Sequence, residues 1–352
     1  MKQIRGAIIR AGLDALYFSG AHRMLRPIFG GVGTIFMLHH VRPAHAGLFQ
    51  PNRHLEITPD FLRATLAYIR ASDIDIVTPD EVQRRLTEQD FSRRFACFTC
   101  DDGYRDNRDH ALPAMQDFDA PFTVYAASDF ADGIGRLWWV ALERVVARAN
   151  SIEVPIDGQM VRLDTSNPVA KEMAYDRLHD WLRGLPGDED IRREMTALCA
   201  AHGVDEDAIS GELCMPWDEL RSFAADPLVT IGAHSISHGN LAKQTEAVAL
   251  NEMAASRARI EATLQCPAVH LAYPYGDRGA AGPREFALAA KAGFKTAVTT
   301  RPGVIFADNS EQLTALPRVS LNGNYQDARY LPVLTSGAAT AMWNGFRRGS
   351  VA

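Results

Sequence analysis

The sequence has 352 residues, of which 47% are hydrophobic and 23% are charged, a balance typical of a folded globular protein. This length predicts one barrel-sized domain with a large core. The formal net charge of −6 argues against a general nucleic-acid-binding protein. Five cysteines, an odd number, fit a reducing compartment better than a disulfide framework.

The first residues favour a basic amphipathic helix over residues 2–26. Apolar residues recur there at helical spacing, and five basic residues stand against one acid, Asp14. Such a helix packs on its own domain or lies on a membrane surface, and the pattern leaves both open. Arg5, Arg10 and Asp14 interrupt any apolar run long enough for a secretory signal, and no stretch approaches membrane-spanning length. We therefore expect a cytoplasmic protein, with peripheral membrane contact through residues 2–26 as the alternative.

Short apolar strands then alternate with helical segments. Thr58-Pro59-Asp60 and Thr78-Pro79-Asp80 each open a helix, because proline suits the first helical turn and an acid there complements the helix dipole. Alternation of this kind implies parallel strands joined by helices, and hence a (β/α) barrel. The predicted strands are 33–39, 74–78, 95–100 and 122–125, and the predicted helices are 60–72, one from Pro79, and one over 106–118.

The alternation lapses at about residues 129–215, which we interpret as a helical insertion. Trp138-Trp139 in this insertion would serve as packing residues or as a platform for sugar rings. Residues 321–352 predict a C-terminal tail with a short apolar helix near its end. Within the insertion, helical patterns cover 137–149 and 170–200, and Asp157-Gly158 predicts a hairpin.

Two adjacent acids, Asp101 and Asp102, follow the buried strand 95–100 and precede Gly103. Burying two carboxylates at a strand end is costly unless a metal or a chemical task compensates. An ordinary Asp-Asp-Gly turn or helix cap is the structural alternative.

Two histidines, His234 and His238, follow a second apolar segment at 228–231. Their spacing can place both imidazoles on one side of a helical turn, which suits a metal such as zinc. Two histidines and one carboxylate leave coordination positions open for water and substrate, as a hydrolytic metal requires. A spare carboxylate from the Asp pair could then accept a proton from that water.

A third strand-end motif is Ala272-Tyr273-Pro274-Tyr275-Gly276, whose proline and glycine impose a tight turn. Together and in this order, the three motifs resemble the polysaccharide deacetylase family (NodB homology domain, carbohydrate esterase family 4), which includes chitooligosaccharide deacetylases. The resemblance covers about residues 30–320. It implies a distorted seven-stranded (β/α) barrel, flanked here by the N-terminal amphipathic helix (1–29) and the tail (321–352).

The resemblance also implies roles for individual residues. Asp101 would be the general base, and Asp102, His234 and His238 would hold a divalent metal. The ligand set suits Zn²⁺, and Co²⁺ or Ni²⁺ would fit similar geometry. The backbone N–H of Tyr275 would help to stabilise the oxyanion.

The acid that protonates the leaving group departs from the common pattern, because no histidine follows His270. A strand near the N-terminus ends instead in Leu38-His39-His40-Val41. This resembles a circularly permuted branch of the family that includes poly-N-acetylglucosamine deacetylases. The resemblance assigns the acid to His39, with His40 as the second candidate and a purely structural role for both as the alternative.

An arginine that often opens the Pro-Tyr motif in the family is replaced by Ala272. Such an arginine would keep Asp101 ionised and positioned. We hypothesise that Arg318, on another predicted strand, supplies the missing charge.

The resemblance implies a metal-dependent hydrolase that removes N-acetyl or O-acetyl groups from a carbohydrate, with the acetylated carbohydrate as its partner. Two alternatives stay open. One is a hydrolase of the same fold that acts on a non-sugar C–N bond, such as a cyclic amide. The other is a non-catalytic carbohydrate-binding or assembly protein that keeps the metal site, although an intact Asp101 argues against it.

Overall fold

The structure is a computed structural model that describes residues 2–346. The last residues of the predicted tail, 347–352, lie outside the described residues. The strands are β1 (Gly33–Leu38), β2 (His40–Val41), β3 (Glu56–Ile57), β4 (Asp75–Ile76), β5 (Phe95–Cys100), β6 (Phe122–Ala126), β7 (Ser151–Ile156), β8 (Gln159–Asp164), β9 (Val229–Ala233), β10 (His270–Ala272), β11 (Thr296–Pro302) and β12 (Leu316–Ser320). The α-helices are α1 (Lys2–Phe18), α2 (Ala21–Phe29), α3 (Pro59–Ala71), α4 (Pro79–Glu88), α5 (Leu112–Gln116), α6 (Ser128–Ala131), α7 (Trp138–Arg148), α8 (Pro168–Gly184), α9 (Asp188–His202), α10 (Ala208–Leu213), α11 (Trp217–Ala224), α12 (Glu246–Leu264), α13 (Pro283–Lys291), α14 (Leu331–Thr335) and α15 (Ala338–Trp343).

Seven parallel strands close into a barrel. Strand β1 pairs with β5 on one side, from Gly33–Phe95 to Leu38–Cys100, and with β12 on the other. Around the ring the order is β1, β12, β11, β10, β9, β6 and β5, while the short β4 pairs with the first residues of β5. The seven-stranded (β/α) barrel predicted from the sequence is confirmed.

The inward-facing side chains of β5 form a row that leads from the barrel core to the candidate site. Cys97 of β5 packs in an apolar cluster with Ile35 of β1 and Leu316 of β12. Because side chains alternate along a strand, Thr99 and then Asp101 extend the same row toward the carboxyl end of β5. The fold therefore presents Asp101 at the end of the barrel where (β/α) enzymes carry their active sites.

Two predicted helical segments are interrupted in the structure, and a third contains a π-helical turn. The single helix over 2–26 is wrong: α1 and α2 are separated near Gly20, whose φ of 71° is not helical. The segment 170–200 forms two helices, α8 and α9, and 106–118 begins with a π-helical turn before α5. The predicted hairpin is present, with β7 and β8 joined at Asp157-Gly158, both at positive φ.

The segment between β6 and β9 has its own apolar core. Helices α7, α8 and α9 pack around a cluster that includes Trp138 and Trp139, both of which are buried. Both indoles are therefore packing residues, and Trp138 also lines a cavity next to His238. Among residues 2–346, no helix is long and apolar enough to cross a membrane. Peripheral membrane contact through residues 2–26 stays a prediction.

Candidate metal centre and active site

Asp102, His234 and His238 meet at the carboxyl ends of β5 and β9. The Oδ1 atom of Asp102 lies 3.4 Å from Nε2 of His234 and 3.2 Å from Nε2 of His238. One ligand atom from each residue lies within 4.8 Å of the others, and all three side chains are buried. Oδ1 of Asp102 has no hydrogen-bond partner among the described residues. A buried carboxylate oxygen left without a donor, facing two imidazole nitrogens, fits a divalent cation.

The orientation of His234 supports this fit. Its Nδ1 lies 2.7 Å from the carbonyl oxygen of Ala272 in β10. A carbonyl can only accept, so Nδ1 carries the proton and Nε2 keeps a lone pair directed toward Asp102. A backbone partner of this kind fixes the tautomer and the ring orientation of metal-binding histidines.

Asp101 is paired with Arg318 inside the barrel. Nη1 and Nη2 of Arg318 donate to the two carboxylate oxygens at 2.7 and 2.6 Å. The guanidinium also donates to Thr99 Oγ1 and to the carbonyl oxygen of Thr299, at 3.0 and 2.9 Å. Burial acts to raise the pKa of Asp101, but the charge and hydrogen bonds of Arg318 outweigh it, and the pKa lies below its ordinary value. The structure thus places the positive charge of Arg318 beside Asp101. Ala272 stands where many family members carry the arginine that would serve this purpose.

His39 and His40 have different surroundings. Nε2 of His39 lies 3.8 Å from Oδ2 of Asp101, and burial lowers the pKa of His39 despite the two nearby carboxylates. His40 turns away: its Nδ1 lies 2.6 Å from Asp106, and its ring stacks on Tyr104 with centroids 3.6 Å apart. Of the two candidates for the acid, the structure brings only His39 beside Asp101.

Tyr275 lies against the histidine pair, with its ring centroid 5.2 Å from that of His238. Its φ of 60° turns the backbone sharply after Pro274. The phenol oxygen accepts a hydrogen bond from Trp138 Nε1 at 2.8 Å, and the guanidinium of Arg183 lies 4.1 Å from the ring centroid. The helices between β6 and β9 therefore hold the Pro-Tyr turn in place.

Comparison with known proteins agrees with this geometry. Residues 193–297 match the family model described as polysaccharide deacetylase. This match supports the resemblance to polysaccharide deacetylases that the motifs indicate. The matched segment contains His234, His238 and Tyr275, while Asp101 and Asp102 precede it. The predicted hydrolase class, a carbohydrate deacetylase, is confirmed with the family. None of the curated proteins compared matches the sequence.

Solved structures of deacetylases share the fold. A Streptococcus pyogenes deacetylase, PplD in complex with acetate, has a TM-score of 0.55 at 16% identity, over 83% of this chain and 92% of its own. IcaB from Ammonifex degensii has a TM-score of 0.53 at 17% identity, over 86% and 98%. A polysaccharide deacetylase from Bacillus cereus has 0.53 at 15% identity, over 85% and 68%. At these identities the likeness is one of fold.

The deacetylase motifs are held in strained backbone conformations. Ten non-glycine residues of the described chain have positive φ, and four of them belong to the three motifs: Asp102, Ser235, His238 and Tyr275, at 72°, 62°, 58° and 60°. Such conformations persist only where the surroundings enforce them, and they concentrate at functional sites. The strain therefore marks the same site as the side-chain geometry.

Glu252 in α12 holds the histidine loop of the deacetylase domain. Its Oε2 accepts hydrogen bonds from the N–H groups of Ile236 and Ser237 at 3.0 and 2.9 Å. Inside the loop, Oγ of Ser235 accepts from the N–H of His238 at 3.0 Å. Glu252 was missed from the sequence, because a glutamate in a helix carries no signal for such a contact.

Asp188, the first residue of α9, supports the end of the same loop. Its Oδ2 accepts from the N–H of Asn240 at 3.0 Å. Lys243 donates to the carbonyl oxygen of Arg183, in the last turn of α8, at 2.8 Å. These contacts, like Glu252, follow from the fold and not from any motif.

A cavity of about 340 Å³ opens beside His238 and Tyr275. Trp138, Ile191 and Asp129 contribute to its walls. Burial, with Glu252 and Asp132 nearby, raises the pKa of Asp129 to about 6. The walls also include the charged residues Arg136, Asp188 and Arg192, so this space beside the candidate metal centre suits a polar ligand.

Proposed function

We propose that the protein is a metal-dependent deacetylase that removes N-acetyl or O-acetyl groups from a carbohydrate. The observation that carries the proposal is the buried Asp102–His234–His238 cluster next to the Asp101–Arg318 pair. The two adjacent acids have different partners, as a metal ligand and a separate proton acceptor require.

Asp102, His234 and His238 would hold the divalent cation, for which Zn²⁺, Co²⁺ and Ni²⁺ suit the donor set. When bound, the cation supplies Lewis-acid activation of the acyl carbonyl and of a water molecule. His234 is prepared for this role because the carbonyl of Ala272 already fixes its tautomer.

Asp101 would take the proton from the attacking water. Arg318 keeps this carboxylate ionised inside the barrel, and the bidentate contact leaves it little freedom to rotate. A base that is charged and fixed before substrate arrives avoids the cost of reorganisation during the reaction.

His39 would donate a proton to the leaving amine or alcohol. Because burial lowers the pKa of His39, its imidazole is neutral near neutral pH and must first receive a proton. Asp101, 3.8 Å away, holds the proton taken from water and is positioned to supply it. The N–H of Tyr275 would stabilise the oxyanion, and the cavity beside it would accept part of the sugar.

An acetate-release panel tests the proposal, with N-acetylglucosamine oligomers, acetylated xylan and small cyclic amides as substrates. We expect release from the acetylated sugars, its loss with chelator, and its return when Zn²⁺, Co²⁺ or Ni²⁺ is restored. Turnover of the cyclic amides alone would show that the substrate class is wrong. Binding of sugar without turnover at any pH would show a non-catalytic protein.

Two variants test the division of roles between the acids. Asp101→Asn should lose roughly 10²–10⁴-fold in turnover while keeping its metal, and Asp102→Asn should lose the metal itself, as measured by metal analysis of the purified protein. Asp109→Asn, at an exposed acid in the helical segment that follows the motif, is the control and should change neither. Loss of metal from Asp101→Asn would mean that the two acids have exchanged roles.

A further inference from the structure

The helices near the two ends of the chain carry most of the exposed apolar side chains. Of thirteen large hydrophobic residues exposed in the described chain, seven lie on α1, α2, α15 or directly after α15. Met24 and Phe18 are 80% and 69% exposed. Single exposed apolar residues are common, but clusters mark interaction sites. We call this cluster the terminal surface: Ile8, Phe18, Met24, Ile28, Met342, Trp343 and Phe346.

The three helices that carry the terminal surface pack against one another. Helix α2 packs against α15, and the rings of Phe29 and Phe346 lie 6.1 Å apart. Helix α1 meets α15 at Gly12, where an added Cβ would lie 2.9 Å from the Cε atom of Met342. The opposite face of α1 is occupied, because Leu13 packs with Tyr330 and Val333. The helix is thus docked on its own domain and still presents apolar side chains outward.

The charge around this surface has the opposite sign to the rest of the chain. Residues 2–29 contain five basic residues and one acid, whereas the remaining sequence contains 32 basic and 42 acidic residues. The one acid, Asp14, accepts a hydrogen bond from the hydroxyl of Tyr330 at 3.0 Å. Arg23 and Arg26 are exposed on α2, and within residues 2–346 neither forms an ion pair with an acid. This surface carries both exposed arginines and exposed apolar side chains. It therefore suits a partner that is anionic and can also bury apolar groups.

We propose that the terminal surface docks on an anionic lipid bilayer, with α1 and α2 lying in the interface. Apolar side chains among arginines are the pattern of interfacial helices, in which burial and attraction to anionic lipid act together. A nucleic acid would satisfy the arginines but would offer no apolar phase to Met24 or Ile28. A symmetric dimer through this surface would place Arg23 and Arg26 of one copy near the same arginines of the other, and these like charges would repel.

Docking in this way leaves the deacetylase site accessible. Helix α2 ends just before Gly33, the first residue of β1, whereas His39 follows the last residue of that strand. Lipid contact at α2 therefore lies toward the amino end of β1, away from the catalytic groups at its carboxyl end.

Co-sedimentation of the full chain with vesicles tests the proposal. We expect binding to phosphatidylcholine vesicles that contain phosphatidylglycerol, weak binding to phosphatidylcholine alone, and release by salt. The Arg23→Gln/Arg26→Gln protein should bind the anionic vesicles more weakly, by about five-fold for each arginine removed. Met24→Ser/Ile28→Ser should weaken binding by about ten-fold or more.

A matched control separates this surface from apolar exposure in general. Val169→Ser/Met173→Ser changes two residues at the same spacing on α8, 62% and 69% exposed, and should bind vesicles like the natural sequence. Equal binding to both vesicle types, no binding, or binding that survives Met24→Ser/Ile28→Ser would overturn the proposal. So would a dimer in sedimentation velocity that Met24→Ser/Ile28→Ser converts to monomer, since a second copy would then cover the surface.

Discussion

Replacing Arg318 by methionine should cost both stability and activity. Methionine keeps much of the length of the side chain but removes the two hydrogen bonds to Asp101 and those to Thr99 and Thr299. Removing one partner of a buried ion pair leaves an uncompensated charge and costs about 3–5 kcal/mol of unfolding free energy. Arg63→Met is the control: its ion pair with Asp117 is exposed and should be worth less than about 1 kcal/mol.

The loss should depend on pH in a defined direction. In the natural sequence the folded pKa of Asp101 is depressed, so its stabilising contribution is present above the unfolded pKa of about 3.9 and is lost as pH falls through the folded pKa. Without Arg318, the largest contribution that opposes burial is lost, and the pKa of Asp101 should rise. The stability gap between the two metal-free proteins, measured by urea denaturation, should therefore be widest at neutral pH and shrink on acidification.

The same substitution should move the acidic limb of kcat/KM for acetate release to higher pH, because Asp101 must be ionised to act as a base. Metal content should stay unchanged, since Arg318 contacts Asp101 and not the Asp102 cluster. An acidic limb at the same pH in Arg318→Met, with activity otherwise retained, would show that Arg318 does not set the ionisation of Asp101. A stability loss no larger than that of Arg63→Met would refute the estimate for the buried pair.

Three further predictions concern the residues around this pair. His39→Gln should lower turnover by roughly 10²-fold or more with little change in metal content; unchanged turnover would remove His39 from the mechanism. His40→Gln should instead lower the melting temperature, because it breaks the contact with Asp106; a loss of turnover without a loss of stability would make His40 the acid. Glu252→Gln should weaken metal affinity by roughly ten-fold, since it loosens the histidine loop; Glu246→Gln, an exposed acid on the same helix, should leave the affinity unchanged in a chelator competition.

The parts of the site that follow strands could be predicted from the sequence. In a parallel barrel the strands are buried on both faces, so β1 and β5 read as continuous apolar runs, and polar residues directly after them stand out. Asp101, His39 and His234 each occupy such a position. Strand ends of a closed barrel converge at one rim, which brings residues distant in sequence together.

The supporting contacts could not be predicted in the same way. Glu252 and Asp188 lie in helices whose sequences resemble many other helices, and their partners are backbone N–H groups that carry no sequence signal. The break between α1 and α2 at Gly20 was missed for a related reason. The spacing of apolar residues shows which side of a helix is buried, and a single glycine does not disturb that spacing. These side chains meet their backbone partners only when the whole fold has brought distant segments together, so the sequence of one helix does not predict the contact.

The adjacent acids can both be buried because each has its own set of partners. Side chains alternate along β5, so Asp101 continues the inward row and meets Arg318, while Asp102, at a φ of 72°, turns toward the histidines. Burial acts to raise the pKa of Asp102, but His234 and His238 beside its carboxylate lower it well below its ordinary value. One acid is thus compensated by a permanent charge inside the barrel. Asp102 instead faces two imidazoles, and a bound cation would complete that site. This difference allows two adjacent acids to provide a base and a metal ligand.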